Sequence, residues 1–296
     1  MMEPLLDRLR GGSTMIADGA WGTQLMERGL SAGECPESFN LDRPEALAEI
    51  AQQYLDAGAE MLTTNTFGGS PLKLRDYGLE GETERINRLA VEALRAVVGA
   101  RAYVSGSVGP TGKLLEPYGD TSRDEIYSAF ERQIDSLANA GADLICVETM
   151  IDLGEASAAI QAAKNVAPEL PVVASMTFDP TPRGFFTVMG VDIPTAVAGL
   201  LRDGADVVGS NCGNGSETMV EVARGFKQCT DRPIIIQSNA GLPENRAGEV
   251  VYPETPEIMA RRVEQLIELG VAIVGGCCGT TPDHIRAFRR CANGRA

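Results

Sequence analysis

Three cysteines carry the chemistry this sequence can be read to perform. Cys277 and Cys278 are adjacent within Gly275-Gly276-Cys277-Cys278-Gly279-Thr280-Thr281-Pro282, and Cys212 ends Gly209-Ser210-Asn211-Cys212. Three thiolates without a fourth protein ligand describe an open zinc site, and soft sulfur donors select zinc over magnesium or manganese. The open position suits a substrate thiol, which the metal would hold deprotonated at neutral pH. A thiolate so held is a nucleophile for alkyl transfer, a displacement that builds no oxyanion and needs no general base. The histidine count agrees. His284 is the only one, so Ser-His, Cys-His and His-rich metal chemistry have little to work with. Plainer readings stand beside this one: two small core residues, or a strained vicinal disulfide. Glycine near the last strand also fits a phosphate site in a zinc-free barrel.

For these thiols to meet, the chain must bring distant segments to one face. Strand-like runs alternate with helix-like runs along its whole length. The runs at 14–20, 60–65, 102–107, 143–149, 171–177, 206–212, 233–239 and 271–277 read as strands. Helical periodicity follows at 44–57, 82–98, 123–140, 152–166, 194–202, 217–229, 255–269 and 282–290. Residues 21–44 read as an irregular insertion, and 178–191 and 240–252 as loops. Continuous apolar strands are those of a buried parallel sheet. An Ala-Gly-Ala-(Asp/Glu) pattern recurs at 57–60 and 140–143, with 203–206 a variant, where glycine turns a helix C-terminus into the next strand. Eight units predict an α/β fold, a single (βα)8 TIM barrel over residues 1–296, with a doubly wound open sheet as the alternative.

A barrel gathers its strand ends on one face. Those ends are Asp18-Gly19, Asn65, Ser107, Glu148, Thr177, Asn211-Cys212, Asn239 and Cys277-Cys278, polar or sulfur-bearing residues closing otherwise apolar runs. Strands six and eight are next-but-one neighbours, about 10 Å apart at about 4.8 Å per strand. The pleat sends adjacent side chains to opposite faces, so Gly275, Gly276 and Gly279 are expected to deform the backbone until Cys277 and Cys278 face one metal. Glu148 and Asp18 read either as salt-bridged rim residues or as acceptors for a substrate ammonium. The Gly19 and Ala20 amides are placed to hold a substrate carboxylate. Asn65 and Asn239 join the substrate-binding candidates. Cys146 and Cys229 are expected in the core, Trp21 either there or in a pocket wall, and His284 at a helix terminus.

Composition narrows the partners. The formal charge is −15 with no basic stripe, which argues against nucleic acid and against an anionic membrane surface. Residues 1–10 carry both charges and no long apolar run, and nothing later approaches a membrane span, so a cytoplasmic protein is expected. Seven cysteines in that compartment are not expected to form a disulfide framework.

The chain resembles the homocysteine S-methyltransferase family, which includes the homocysteine module of cobalamin-dependent methionine synthase, the betaine enzymes and the S-methylmethionine enzymes. The segments that carry the likeness are Asp18-Gly19-Ala20-Trp21-Gly22-Thr23, Thr64-Asn65-Thr66-Phe67-Gly68, Ser107-Val108-Gly109-Pro110-Thr111-Gly112, Val147-Glu148-Thr149, and the two cysteine segments. The resemblance implies one Zn2+ per chain on Cys212, Cys277 and Cys278, with homocysteine sulfur as the fourth ligand. It implies that Asp18 and Glu148 bind the amino acid's ammonium and that the Gly19 and Ala20 amides bind its carboxylate. It also implies that the Asn239 amide oxygen can take the zinc position before substrate arrives. Residues 109–120 look most like the cobalamin-dependent branch. The chain is expected to end soon after helix eight, without cobalamin or folate modules and without the betaine enzyme's C-terminal arm. The expected donor is therefore external: methylcobalamin, on a separate corrinoid protein, with a small onium compound as the alternative. A monomer or weak dimer is expected, and another thiol acceptor is the remaining alternative.

Overall fold

The structure, a computed structural model, describes residues 2–246 and 249–294. Ala247 and Gly248, within the expected 240–252 loop, lie outside the described residues, as do Met1 and residues 295–296.

Eight parallel strands form the centre: β1 (Met15–Ile16), β2 (Met61–Thr63), β3 (Tyr103–Val108), β4 (Leu144–Met150), β5 (Val172–Met176), β6 (Val207–Asn211), β7 (Ile234–Ser238) and β8 (Ile273–Gly276). Each pairs with the next, β8 pairs with β1 through Met15↔Ile273, and a parallel bridge Ala17↔Met61 joins β1 to β2. The circle is closed, so the fold is a (βα)8 barrel and not an open sheet. Its helices are α1 (Pro44–Asp56), α2 (Thr83–Val98), α3 (Arg123–Asn139), α4 (Leu153–Val166), α5 (Ile193–Asp203), α6 (Ser216–Cys229), α7 (Pro256–Glu268) and α8 (Pro282–Asn293).

Strand alternation sorts the apolar residues into two layers. Met15, Met61, Tyr103, Leu144, Val173, Val207, Ile235 and Ile273 fill the barrel interior. Ile16, Leu62, Val104, Ile145, Val172, Val208, Ile236 and Val274 pack outward against the helices. A helix that periodicity did not suggest, Leu5–Arg10, closes the barrel base. Its Leu5 and Leu9 join the interior cluster, each stabilising the fold by about 2 kcal/mol through burial.

The recurring acid of the Ala-Gly-Ala-(Asp/Glu) pattern has a definite task. Glu60 Oε2 accepts from Ile16 N–H at 3.1 Å and pairs with Arg289 at 2.7 Å. Asp143 Oδ2 accepts from Val104 N–H at 2.7 Å and pairs with Arg95 at 2.6 Å. Asp206 Oδ2 accepts from Val172 N–H at 2.9 Å and pairs with Lys164 at 2.8 Å. Each acid thus binds the preceding strand's backbone and a helical cation, which fixes strand register at the base. The preceding Gly58 and Gly141 have φ of 95° and 95°, as that turn requires.

Local differences from the sequence expectations sit mainly in loops. The 21–44 insertion contains a helix, Gly22–Glu27, and the short turns Pro36–Ser38 and Phe39–Asp42. The loops after β5 and β7 each carry a small antiparallel ribbon, Asp179–Thr181 with Gly184–Phe186, and Glu244–Arg246 with Glu249–Val251. Cys146 is buried inside the barrel as expected, but Cys229 is exposed because it ends α6, where the helix leaves the core.

Candidate active site

The strand ends open on a cavity of about 380 Å³. Its walls include Gly19, Ala20, Trp21, Glu37, Asn65, Phe67, Ser107, Glu148, Cys212, Gln237, Cys277 and Cys278. All three thiols therefore reach the same space, and their Sγ atoms lie within 4.8 Å of one another. Tetrahedral zinc, with Zn–S near 2.3 Å, separates its sulfurs by about 3.8 Å, so the donor set and its spread fit that ion.

The backbone explains how adjacent cysteines converge. β8 stops at Gly276, and the chain then turns, with Thr280 N–H donating to Cys277 O at 3.1 Å and Gly279 at φ 79°. Gly275 and Gly276 stay within the strand, contrary to the expectation that they deform. They are needed for close approach: a Cβ at Gly276 would lie 2.2 Å from Thr280 Oγ1. The deformation comes after them, at Gly279, where a Cβ would meet the Tyr252 ring at 2.1 Å. Cys212 follows β6 in a left-handed conformation, φ 60°, held by its N–H to Gln237 O at 3.0 Å. α8 begins as expected, with a Thr281–His284 capping box, and His284 Nε2 also meets Glu254 O at 3.0 Å.

Electrostatics within the triad favour a cation. Hydrogen bonds from Cys277 and Cys278 push the Cys212 thiol well below its usual range. The same contacts push Cys277 up, and hydrogen bonding to Cys212 pushes Cys278 up. One thiolate is therefore easy to form, and further ionisation is opposed by like charge. A dication removes that opposition. The Asn239 side-chain amide donates to Cys212, while its buried Oδ1 has no partner. Tyr252 hydrogen-bonds Cys278, and burial, followed by the charge of Cys278, pushes its hydroxyl up to about 12.

The carboxylates sit opposite in character. Glu148 lies at a register shift in β4, between Val147 and Met150, and the next residue, Thr149, is left-handed at φ 60°. That bulge re-aims Glu148 into the cavity. Its Oε1 accepts from Ser107 Oγ at 2.5 Å and its Oε2 from Asn211 Nδ2 at 3.3 Å. Desolvation, with the charges of Asp18 and Cys212 behind it, raises its pKa to about 7. Asp18 is fully buried and stands behind the wall. Its Oδ2 accepts from Trp21 Nε1 at 2.8 Å and Thr63 N–H at 2.7 Å, its Oδ1 from Thr63 Oγ1 at 3.0 Å, and burial raises its pKa to about 6. Ala20 N–H donates to Thr280 Oγ1 at 3.0 Å, whereas Gly19 N–H has no partner among the described residues. Asn65 donates its side-chain amide to Pro36 O at 2.8 Å and Asn40 Oδ1 at 2.9 Å, anchoring the insertion beside the cavity.

Several site residues escaped the strand-end pattern. Glu37, in the insertion, is 3 % exposed yet lines the cavity. It accepts from Gly68 N–H at 2.6 Å and from the Cys35 thiol at 3.2 Å; it forms no ion pair among the described residues, and the charge of Lys73 acts on it without a direct contact. Its carboxyl is raised by burial. Pro36-Glu37 after a glycine-rich run was the available signal. Tyr252 and Gln237 had none.

A family model described as homocysteine S-methyltransferase matches residues 15–292. The chain is 32% identical to a methionine synthase of Mycobacterium leprae (strain TN) over 315 aligned residues, covering 99% of this chain and 25% of that protein. It is 34% identical to a methionine synthase of Mycobacterium tuberculosis (strain ATCC 25618 / H37Rv), covering 92% of this chain and 24% of that protein. The chain thus spans about a quarter of the length of these relatives. The crystal structure of the homocysteine methyltransferase MmuM from Escherichia coli, metallated form, superposes with a TM-score of 0.81, covering 97% of this chain and 99% of that one. At 23% identity that likeness speaks for the fold.

Proposed function

Because the chain belongs to the homocysteine S-methyltransferase family, we propose that it transfers a methyl group to the sulfur of homocysteine, forming methionine. The observation that carries this reading is the convergence of Cys212, Cys277 and Cys278 on the cavity that Glu148 also faces. One zinc ion held by these three thiolates would supply the positive charge that keeps a substrate thiol ionised at neutral pH. Tyr252 and the Asn239 amide orient the cysteines from behind. Glu148 accepts from the substrate ammonium, Asp18 adds negative charge beneath the wall, and Gly19 N–H meets the carboxylate. The thiol proton leaves to solvent on binding. A sulfur lone pair then forms the S–C bond as the bond between methyl carbon and donor breaks, and the donor departs with that electron pair.

The donor we propose is a methylcorrinoid, on the likeness of residues 109–120, with a separate corrinoid protein as its carrier and this chain as one homocysteine-binding unit. A small onium donor is the second reading. It is favoured by Glu37, a buried carboxylate without an ion pair among the described residues, in a cavity also lined by Phe67 and Trp21. The test is methionine formation from homocysteine with methylcobalamin, betaine or S-methylmethionine offered separately. Turnover with methylcobalamin alone is expected; turnover with an onium compound alone would replace the first reading by the second. Among the described residues no helix is long and apolar enough to cross a membrane.

A further inference from the structure

We propose that the side-chain amide oxygen of Gln237 accepts a hydrogen bond from the α-ammonium of the amino-acid substrate, making Gln237 a specificity-determining residue. The inference rests on homocysteine being the acceptor.

Gln237 is two residues beyond Ile235 on β7, so its side chain shares the barrel-interior face and ends at the cavity floor. It is 6 % exposed, and its Oε1 is buried without a partner. A buried amide oxygen left without a donor is costly, and a turn of the terminal amide carries it to the cavity that Gln237 lines, where a donor can arrive with the ligand.

The neighbouring floor acceptors are already engaged. Asn211 Oδ1 accepts from Ser175 Oγ and from Thr149 N–H, both at 2.7 Å. Asp18 accepts three hydrogen bonds and is fully buried behind the wall. Glu148 retains capacity for the ligand. An ammonium brings three N–H donors, more than Glu148 alone would take. Among the described cavity-lining residues Thr23 Oγ1 and Gln237 Oε1 are the buried oxygens without a partner; the Thr23 hydroxyl is itself a donor, and the Gln237 oxygen is a pure acceptor.

The surroundings are built to seat this side chain. Gly275, its register partner on β8, has no Cβ; one placed there would lie 3.2 Å from Gln237 Cγ and 2.9 Å from Ala17 Cβ. An amide also suits the site better than a third carboxylate, since Glu148 already feels the charge of Asp18.

The test compares homocysteine with 4-mercaptobutanoate, which has the same thiol and carboxylate without the amine. Both are titrated calorimetrically into zinc-loaded wild type, Gln237→Met and Gln237→Glu, with zinc content measured for each. Gln237→Met is expected to weaken homocysteine about tenfold and 4-mercaptobutanoate less than twofold; Gln237→Glu keeps an acceptor, adds charge and retains a preference for homocysteine at least as large as that of wild type. Equal losses for the two ligands, or no loss, overturn the inference. If Gln237→Met takes up no zinc, the Gln237→Glu variant decides: a preference smaller than that of wild type there overturns it. Wild type that fails to bind homocysteine overturns the proposed function itself, whereas wild-type binding with an indifferent Gln237→Met overturns only the role of Gln237.

Discussion

Thr149 and Asn211 clasp one another across two strand ends: Thr149 N–H donates to Asn211 Oδ1, and Asn211 Nδ2 donates to Thr149 Oγ1, both at 2.7 Å. Thr149 and Cys212 are the two non-glycine residues with positive φ among the described residues. Such conformations cost about 1–3 kcal/mol each and persist only where surroundings over-determine them. The clasp holds the bulge that aims Glu148, and Asn211 is bonded to the strained thiol residue. Asn211→Ala should lower unfolding free energy by about 1–3 kcal/mol, because Ser175 Oγ and Thr149 N–H lose their acceptor. Homocysteine affinity should fall with it. Urea unfolding and calorimetry check both; an unchanged affinity would show that the bulge does not need the clasp.

Substrate recognition should depend on pH through Glu148. Its carboxyl, raised to about 7, is largely protonated at pH 6 and charged at pH 8. The preference for homocysteine over 4-mercaptobutanoate should therefore fall as pH drops from 8 to 6, and Glu148→Gln should flatten that profile. Stability runs the other way. A carboxyl raised above its unfolded value favours the fold while protonated, and that contribution is lost as pH rises through the folded value. For Asp18, raised from 3.8 to about 6, the ligand-free protein should lose up to about 3 kcal/mol between pH 4 and pH 7. Denaturation curves across that window, in wild type and Asp18→Asn, measure it.

Tyr252 should support the proposed metal site from outside the thiol triad. Its hydroxyl bonds Cys278, and its ring lies where only glycine fits at Gly279. Tyr252→Phe keeps the ring and should lower zinc affinity about tenfold, the usual scale for groups that orient metal ligands. Gly279→Ala should do more, since φ 79° and the ring both resist a Cβ. Competition with a chromophoric chelator reads both. Equal affinities in wild type and Tyr252→Phe would remove the tyrosine from the account.

Asp206 offers the control at the opposite end of the barrel. Asp206→Ala leaves Val172 N–H without its side-chain acceptor and Lys164 without its partner. Stability should fall by about 1–3 kcal/mol with homocysteine binding unchanged. A binding defect there would mean that register at the base controls the mouth.

These contrasts show what the sequence could and could not disclose. Barrel, strand ends and thiol triad were legible because continuous apolar runs, glycine turns and sulfur at strand termini are local signals. The His284 cap was legible for the same reason. Glu37 was not, because it comes from an insertion with no periodicity and reaches the cavity only through Gly68. Tyr252 is placed by the shape of Gly279, a contact no spacing records. Gln237 lies one register inside the strand end, where an apolar reading of 233–239 absorbed it. Cys229 was misplaced because helical periodicity does not say where a helix leaves the core.

On the proposed function, Cys212, Cys277 and Cys278 hold one zinc ion that homocysteine needs in order to react. The most direct test measures zinc per chain and methionine formation in parallel for wild type, Cys277→Ser and chelator-treated wild type. One zinc per wild-type chain is expected, with at least a hundredfold loss of activity in both metal-depleted samples and recovery only of the wild type when zinc is restored. Zinc-free protein that still methylates homocysteine at the wild-type rate would contradict it.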